Sequence, residues 1–290
     1  MADRSSELVN MTEDCFFCTP HGDEDPLFAC YYAAEHPAQP GLVLVPPIGR
    51  ERLRCYRELA LLGRGLAARG HAVLRFDYRG EGESAGRFQE HDLTTRVEDT
   101  VSAVHELQRR SGCEQICLLG LRLGALVALM AAEQLRLERL ILCDPICSPR
   151  RYARSLLRAN LILQNQYFGG TTDNEAALRA RLKQGEAISI HGFPMAHRLL
   201  DELEAIDPDP LLRRFRGRAA LLHIAPREAP PRPDLRGWGE RLAEAGEVSL
   251  RCVVMKFSWT SRSLWGTRIT PLEQAVADWL ERPTPRKEAS

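Results

Sequence analysis

Residues 120–124 read Gly-Leu-Arg-Leu-Gly, set between the hydrophobic run "ICLLGL" and an alanine- and leucine-rich stretch. The spacing is that of a G-x-S-x-G turn, in which a strand breaks sharply into a helix and presents its central side chain for nucleophilic attack. The central residue here is Arg122. A guanidinium stays protonated, with a pKa above ~12, and has no lone pair to give. Acyl transfer at such a turn also needs a base to take the nucleophile's proton and a carboxylate to orient the base. The base belongs just after the last strand, where "VVMKFSWTSRSLWG" (253–266) contains no histidine. The carboxylate is expected after "AALLHIA", and Glu228 falls within a residue of that place, with Asp234 further on. An acid without a histidine has nothing to orient. The two missing groups are the two that make and break bonds.

Other residues could in principle take over. The eight histidines stand at 21, 36, 71, 91, 105, 191, 197 and 223. His71 and His223 fall in expected strands and His105 in mid-helix, where a packed or half-exposed ring is the simpler role. His191 and His197 lie in a segment that could reach a cleft. Ser84, Cys143 and Ser148 are the other candidate nucleophiles, and no histidine is visibly placed to activate them.

If Arg122 does not attack, it must still be accommodated. Gly120 and Gly124 keep the tight strand-to-helix turn. A cation at a helix N-terminus opposes the dipole by about 0.3–1 kcal/mol, so something negative should face it. The internal candidates are Asp144, Asp77, Glu81 and Glu51. The external one is a bound anion, cradled by the guanidinium, the N–H of Leu123 and an N–H near Ile48 or Gly49.

These residues need a scaffold, and one is legible. Strands are expected at "GLVLVPP" (41–47), "HAVLRFD" (71–77), "ICLLGL" (116–121), "RLILCDP" (139–145), "RAALLHIA" (218–225) and "VSLRCVVM" (248–255). Between them lie helical patterns over 50–70, 92–112, 123–135, about 234–246 and 270–281. Alternation of this kind predicts a mostly parallel central sheet with helices on both faces. Residues 146–217 do not alternate. They hold three helical stretches, "SPRRYARSLLRANLILQNQYF", "DNEAALRARLKQGEAI" and "PMAHRLLDELEAI", and predict a helical cap inserted into a core of 1–145 and 218–282. The arginines of "PRRYARSLLR" make a solvated face, or a basic lid able to draw in an acidic glycan, lipid headgroup or phosphate. The tail, 283–290, is expected to be disordered.

Three motifs in this order resemble the α/β-hydrolase superfamily, in its serine-aminopeptidase-like branch. "VLVPPIGRER" matches the loop that supplies an oxyanion N–H, "FDYRGEGESAG" the D-x-R-G-x-G-x-S-x-G stretch, and "LLGLRLGALVA" the nucleophile elbow. The G-L-R-L-G-A elbow, "SIHGFPMAHRLLDELEAI" and "FSWTS" are similar to the bacterial exosortase A system-associated hydrolases. That resemblance implies an α/β-hydrolase fold and a setting near exopolysaccharide production; fold alone does not confer an activity.

Bulk composition narrows the classes. Lys+Arg and Asp+Glu are both 39, giving no net charge, which argues against a nucleic-acid binder. The N-terminus lacks an apolar signal core and no apolar run is long enough to span a bilayer, so a cytoplasmic protein without a transmembrane segment is expected. The nine cysteines are expected to be reduced. Cys15-x-x-Cys18 with His21 and Cys30 falls short of paired zinc knuckles, and "DCFFCTPHGDEDPLFACYYA" reads instead as two short strands around a turn. Neither a metal nor a cofactor is expected. The reading is a family member lacking conventional serine-hydrolase chemistry, binding a small anionic ligand or a protein partner in a capped cleft. Its rivals are an ester or acyl hydrolase with relocated residues, and a structural subunit whose cleft is filled by its own side chains.

Overall fold

The computed structural model describes residues 13–20, 25–34, 38–170, 173–257, 259 and 269–282. The tail 283–290, the turn at 21–24 and His36 lie outside the described residues. Among the described residues, ten strands and nine α-helices follow one another. They are β1 (Glu13–Cys18), β2 (Leu27–Tyr32), β3 (Ala38–Val45), α1 (Gly49–Ala68), β4 (His71–Phe76), α2 (Leu93–Ser111), β5 (Ile116–Leu121), α3 (Leu123–Leu135) and β6 (Arg139–Cys143). Then come α4 (Pro149–Phe168), α5 (Glu175–Lys183), β7 (Ile188–Ile190), β8 (Phe193–Met195), α6 (His197–Ala205), α7 (Asp209–Arg214), β9 (Arg218–Ala225), α8 (Pro233–Ala243), β10 (Glu247–Val254) and α9 (Thr270–Leu280). None of these helices is long and apolar enough to cross a membrane.

Eight strands form one sheet in the order β1-β2-β4-β3-β5-β6-β9-β10. The run from β4 to β10 is parallel, and β1 and β2 add antiparallel strands at one edge. Every residue of β4 and β5 is buried, as continuous apolar runs covered on both faces require. On one face α2, α3 and α8 pack through Val104, Leu107, Leu126 and Trp238. On the other, α1 and α9 pack through Leu62, Leu66, Val276 and Trp279. Helix α2 starts and stops where the sequence says it should: the Asp92 side chain accepts from Thr95 N at 3.0 Å, and Gly112 takes the left-handed conformation at φ 69°.

The described residues between β6 and β9 form an insertion of four helices and one hairpin. The hairpin β7–β8 and the short helix α7 were not expected from the sequence. His191 and Gly192 form the hairpin's two-residue turn, both at positive φ (53° and 92°), with Ile190 paired to Phe193. That is the type I′ geometry that joins tightly twisted strands. Leu157, Leu178, Leu199 and Leu203 tie the insertion into the α2–α3 face of the core.

One expectation is corrected at the sheet edge. Cys15 and Cys30 face each other in the β1–β2 register and are joined as a disulfide, so the nine cysteines are not all reduced thiols. The antiparallel register that makes this hairpin also brings the two sulfurs together. With Glu13 they are also the one group of potential metal-ligating side chains among the described residues; Cys18 points instead toward the Leu27 carbonyl, and His21 lies outside the described residues.

Candidate functional site

The elbow is built by close approach. A Cβ on Gly120 would lie 2.4 Å from the Gly124 carbonyl oxygen, and one on Gly124 would lie 2.3 Å from the Pro46 carbonyl. Only glycine lets β5, α3 and the β3–α1 loop come this near. Between them Arg122 sits at φ 55°, ψ −117°, a conformation that costs a side chain about 1–3 kcal/mol. The strained turn is intact; its tip is a guanidinium.

Arg122 does not reach out to solvent. Its Nε and Nη2 donate to Glu51 Oε1 at 3.1 and 3.0 Å, and Nη1 donates to the Asp144 backbone carbonyl at 3.2 Å. The two side chains of this ion pair are 16 % and 13 % exposed. Glu51 lies in the first turn of α1, which starts beside the elbow, and its other oxygen accepts from the Tyr152 hydroxyl of α4 at 3.4 Å. Burial works against the guanidinium's charge, but Glu51, with Tyr152 and Asp144 behind it, offsets that, and the Arg122 pKa stands above its ordinary value. The indole ring of Trp259 lies 5.6 Å from the guanidinium carbon, within cation–π range.

Trp259 follows β10, within the stretch where a histidine base was expected from the sequence. Its Nε1 donates to Asp144 Oδ2 at 2.8 Å. The other oxygen of Asp144 accepts from Ile224 N at 3.2 Å and lies 3.0 Å from His223 Nδ1. Asp144 follows β6 with φ 43°, a turned-over backbone that aims its carboxylate across β9 toward the loop after β10. The Asp144 carboxylate, the Trp259 indole and the Arg122 guanidinium are thus brought together at the elbow.

The other residues marked out from the sequence are placed elsewhere. Asp77 pairs with Arg52 at 2.6 Å, and Glu81 faces Arg96 at 3.5 Å and accepts from Gly49 N at 2.9 Å, so neither carboxylate serves Arg122. The reason is the loop after β4, which folds back under α1 and turns both acids toward buried arginines. The same bond occupies the Gly49 N–H, one of the two that an anion cradle could use beside the elbow. Glu228 is exposed after β9. Ser84 donates from Oγ to the Asp77 carbonyl at 2.6 Å and accepts from Phe28 N at 2.8 Å, a structural role. Cys143 is fully buried, and burial pushes its thiol far above the ordinary range, so no thiolate forms there. Ser148 caps α4 without a side-chain bond. His71 lies with Nδ1 3.0 Å from the Pro40 carbonyl, His105 is exposed, and His197 starts α6. Ile48 and Leu123, the other cradle candidates, precede α1 and open α3.

Above Glu51 and Trp259 the insertion roofs a partly open cavity of about 240 Å³. Most of its wall is apolar: Phe88, Leu156, Ala159, Ile190, Phe193 and Met195. The arginines at 150, 151, 154 and 158 are on the exposed side of α4, away from it. Trp259 was visible in the sequence only as the absence of a histidine, and Asp144 only as one of four possible partners for Arg122.

Comparison with known proteins adds a lineage to this geometry. A family described as "Serine aminopeptidase, S33" matches residues 49–223, from α1 through the elbow to β9. The match ends before the loop that carries Trp259. No curated protein matches the sequence. Among solved structures the chain is similar to Est1E from Butyrivibrio proteoclasticus with ferulic acid bound, at 16 % identity and TM-score 0.63 over 91 % of this chain and 97 % of that one. It is also similar to an esterase of Pyrococcus furiosus, at 14 % identity and TM-score 0.61 over 97 % and 95 % of the two chains. An N-formylmaleamic acid deformylase from Pseudomonas putida aligns at 18 % identity and TM-score 0.56, over 91 % of this chain and all of its own. At these identities the likeness is one of fold, an α/β-hydrolase sheet and its helices.

Proposed function

The chain belongs to the serine aminopeptidase family, and from that premise we propose that it is a non-hydrolytic member whose capped cleft binds a ligand without cleaving it. One observation carries the proposal: Arg122 occupies the nucleophile's place and is held there by Glu51. A cation locked in an ion pair has neither an electron pair to attack with nor a proton it can give up near neutral pH. Trp259 in the base's place strengthens the reading, since an indole N–H donates only.

The ligand need not be drawn in by Arg122. Glu51 already neutralises the guanidinium, and Glu81 already takes the Gly49 N–H, which weakens the idea of an anion seated on the elbow itself. The rival reading is a hydrolase with relocated residues. It would have to run through Asp144 and His223, which are 3.0 Å apart, yet no serine, threonine or cysteine side chain among the described residues hydrogen-bonds His223. The link to exopolysaccharide production rests on the G-L-R-L-G-A elbow and the "SIHGFPMAHRLLDELEAI" and "FSWTS" stretches, and it is part of the proposal.

The Pyrococcus furiosus neighbour is an esterase by name, so esters are the substrates to test. With p-nitrophenyl acetate and butyrate, the purified protein should give no rate above that of Arg122→Ala. A rate that exceeds it and saturates with substrate overturns the proposal.

A further inference from the structure

The roofed cavity does not stand alone. Beside it runs an open groove of about 1030 Å³ between the start of α1, the C-terminal half of α4 and the β7–β8 turn. Arg50 and His191 line both spaces and stand at their junction. The groove side adds Arg54, Asn160, Gln164 and Ser189, while the cavity side is the apolar wall already described.

The charges at this junction are unequal. Glu51, on the cavity side, is matched by Arg122. Arg50 is not matched by any carboxylate among the described residues; its partner is the imidazole of His191, with Nη1 3.0 Å from Nδ1. Burial and the neighbouring Arg50 hold the His191 pKa below its ordinary value, so the ring is neutral and accepts from the guanidinium. Arg50 therefore keeps its full positive charge, half-buried, at the mouth of an apolar chamber. Such a position suits a ligand that is apolar along its length and anionic at one end. The chamber of about 240 Å³ has room for about eight heavy atoms at the ~30 Å³ each water occupies in the liquid.

We propose that cavity and groove form one bipartite site for an aliphatic carboxylate, with a chain of about eight atoms packed against Phe88, Leu156, Phe193 and Met195 and the carboxylate held by Arg50. The direction follows from the walls: Arg50 stands at the junction with the polar groove, while Phe88, Leu156, Phe193 and Met195 line the chamber. The assignment rests on reading the capped cleft as a binding chamber, and it places anion recognition at its mouth instead of at the elbow.

Calorimetric titration of the full chain near pH 7.5 with octanoate, octanol, octylamine and octyl phosphate tests it. Octanoate should bind at least about tenfold more tightly than octanol, the range of one charge-assisted hydrogen bond to a partly buried site, and octylamine should not bind. Arg50→Gln should bring octanoate down to the affinity of octanol and leave octanol unchanged, while Arg50→Lys should keep part of the preference. Leu156→Trp, which fills the chamber, should remove binding of both. Equal affinity for octanoate and octanol, a preference that survives Arg50→Gln, or no octanoate binding at all overturns the assignment. Octyl phosphate binding about tenfold more tightly than octanoate also overturns it, by giving the head to a phosphate. The two readings fail separately: octanoate binding accompanied by saturable hydrolysis of p-nitrophenyl octanoate sinks the non-hydrolytic function and leaves this site standing. Absence of both binding and hydrolysis does the reverse.

Discussion

Trp259 donates its indole N–H to the Asp144 carboxylate at 2.8 Å, from the loop after the last parallel strand. Both Asp144 oxygens are thus engaged, Oδ2 by an indole that cannot pass a proton on and Oδ1 by Ile224 N and His223. Restoring the nucleophile alone should therefore do nothing. Arg122→Ser is expected to show no ester turnover and no labelling by a fluorophosphonate, because the introduced hydroxyl would have no base. Adding Trp259→His supplies a ring whose N–H can take the bond to Asp144, and the double variant should become labelled. Labelling of the single variant would mean that His223 or another group serves as base.

The Arg122–Glu51 pair is expected to be structural as well as chemical. Glu51→Gln leaves a largely buried guanidinium without its counter-charge and should cost about 2–3 kcal/mol, below the ~3–5 kcal/mol of a fully buried pair because both side chains retain some exposure. Replacing both residues by methionine should cost less than either single change. Denaturant midpoints at constant m value measure all three, and additive losses would show that the two residues do not couple.

Trp259→Phe keeps the ring beside Arg122 but removes the donor to Asp144, leaving a buried carboxylate oxygen unsatisfied. A loss of about 1–3 kcal/mol is expected. An unchanged midpoint would mean that Asp144 finds another donor.

Much of this fold was legible from residue patterns, and the reasons are local. Strands β5 and β9 and helix α3 fall on the spans that hydrophobic runs and capping residues marked out. The β7–β8 hairpin was missed because its strands are three residues long, too short to show a period; the signal present was the His191-Gly192 pair between two apolar triplets. Arg122 at the elbow and the absence of a histidine from 253–266 were readable directly. Which carboxylate meets Arg122 was not. That depends on where α1 begins relative to the elbow, and on the loop after β4 giving Asp77 and Glu81 to Arg52 and Arg96. That Asp144 turns its carboxylate toward Trp259 was not readable either, because its direction is set by a single residue's positive φ, which no neighbouring residue type announces.

His191 makes stability depend on pH. Its folded pKa is below the unfolded value, so the unfolded chain takes up the proton first as pH falls. The contribution of the neutral ring is complete above about 6.5 and is lost below it. His91 is lowered too, by burial first, and works in the same direction. His191→Asn should keep the left-handed turn and shrink the loss of stability between pH 7.5 and 5. An identical loss in the variant would show that His191 is not perturbed in the folded protein.

The edge disulfide gives a count. Of the nine cysteines, seven are free in the structure. Thiol titration of the protein unfolded without reductant should give seven, and nine after reduction. Nine before reduction would return Cys15 and Cys30 to the thiol state.

The most direct test of the central claim is the intact mass of the unmodified chain after exposure to an excess of a fluorophosphonate, with the Arg122→Ser/Trp259→His variant alongside. A cation pinned by a carboxylate at the tip of the turn predicts an unchanged mass for the natural sequence and a single adduct for the variant. A stoichiometric adduct on the natural sequence, mapped to a residue lining the cavity, would contradict it.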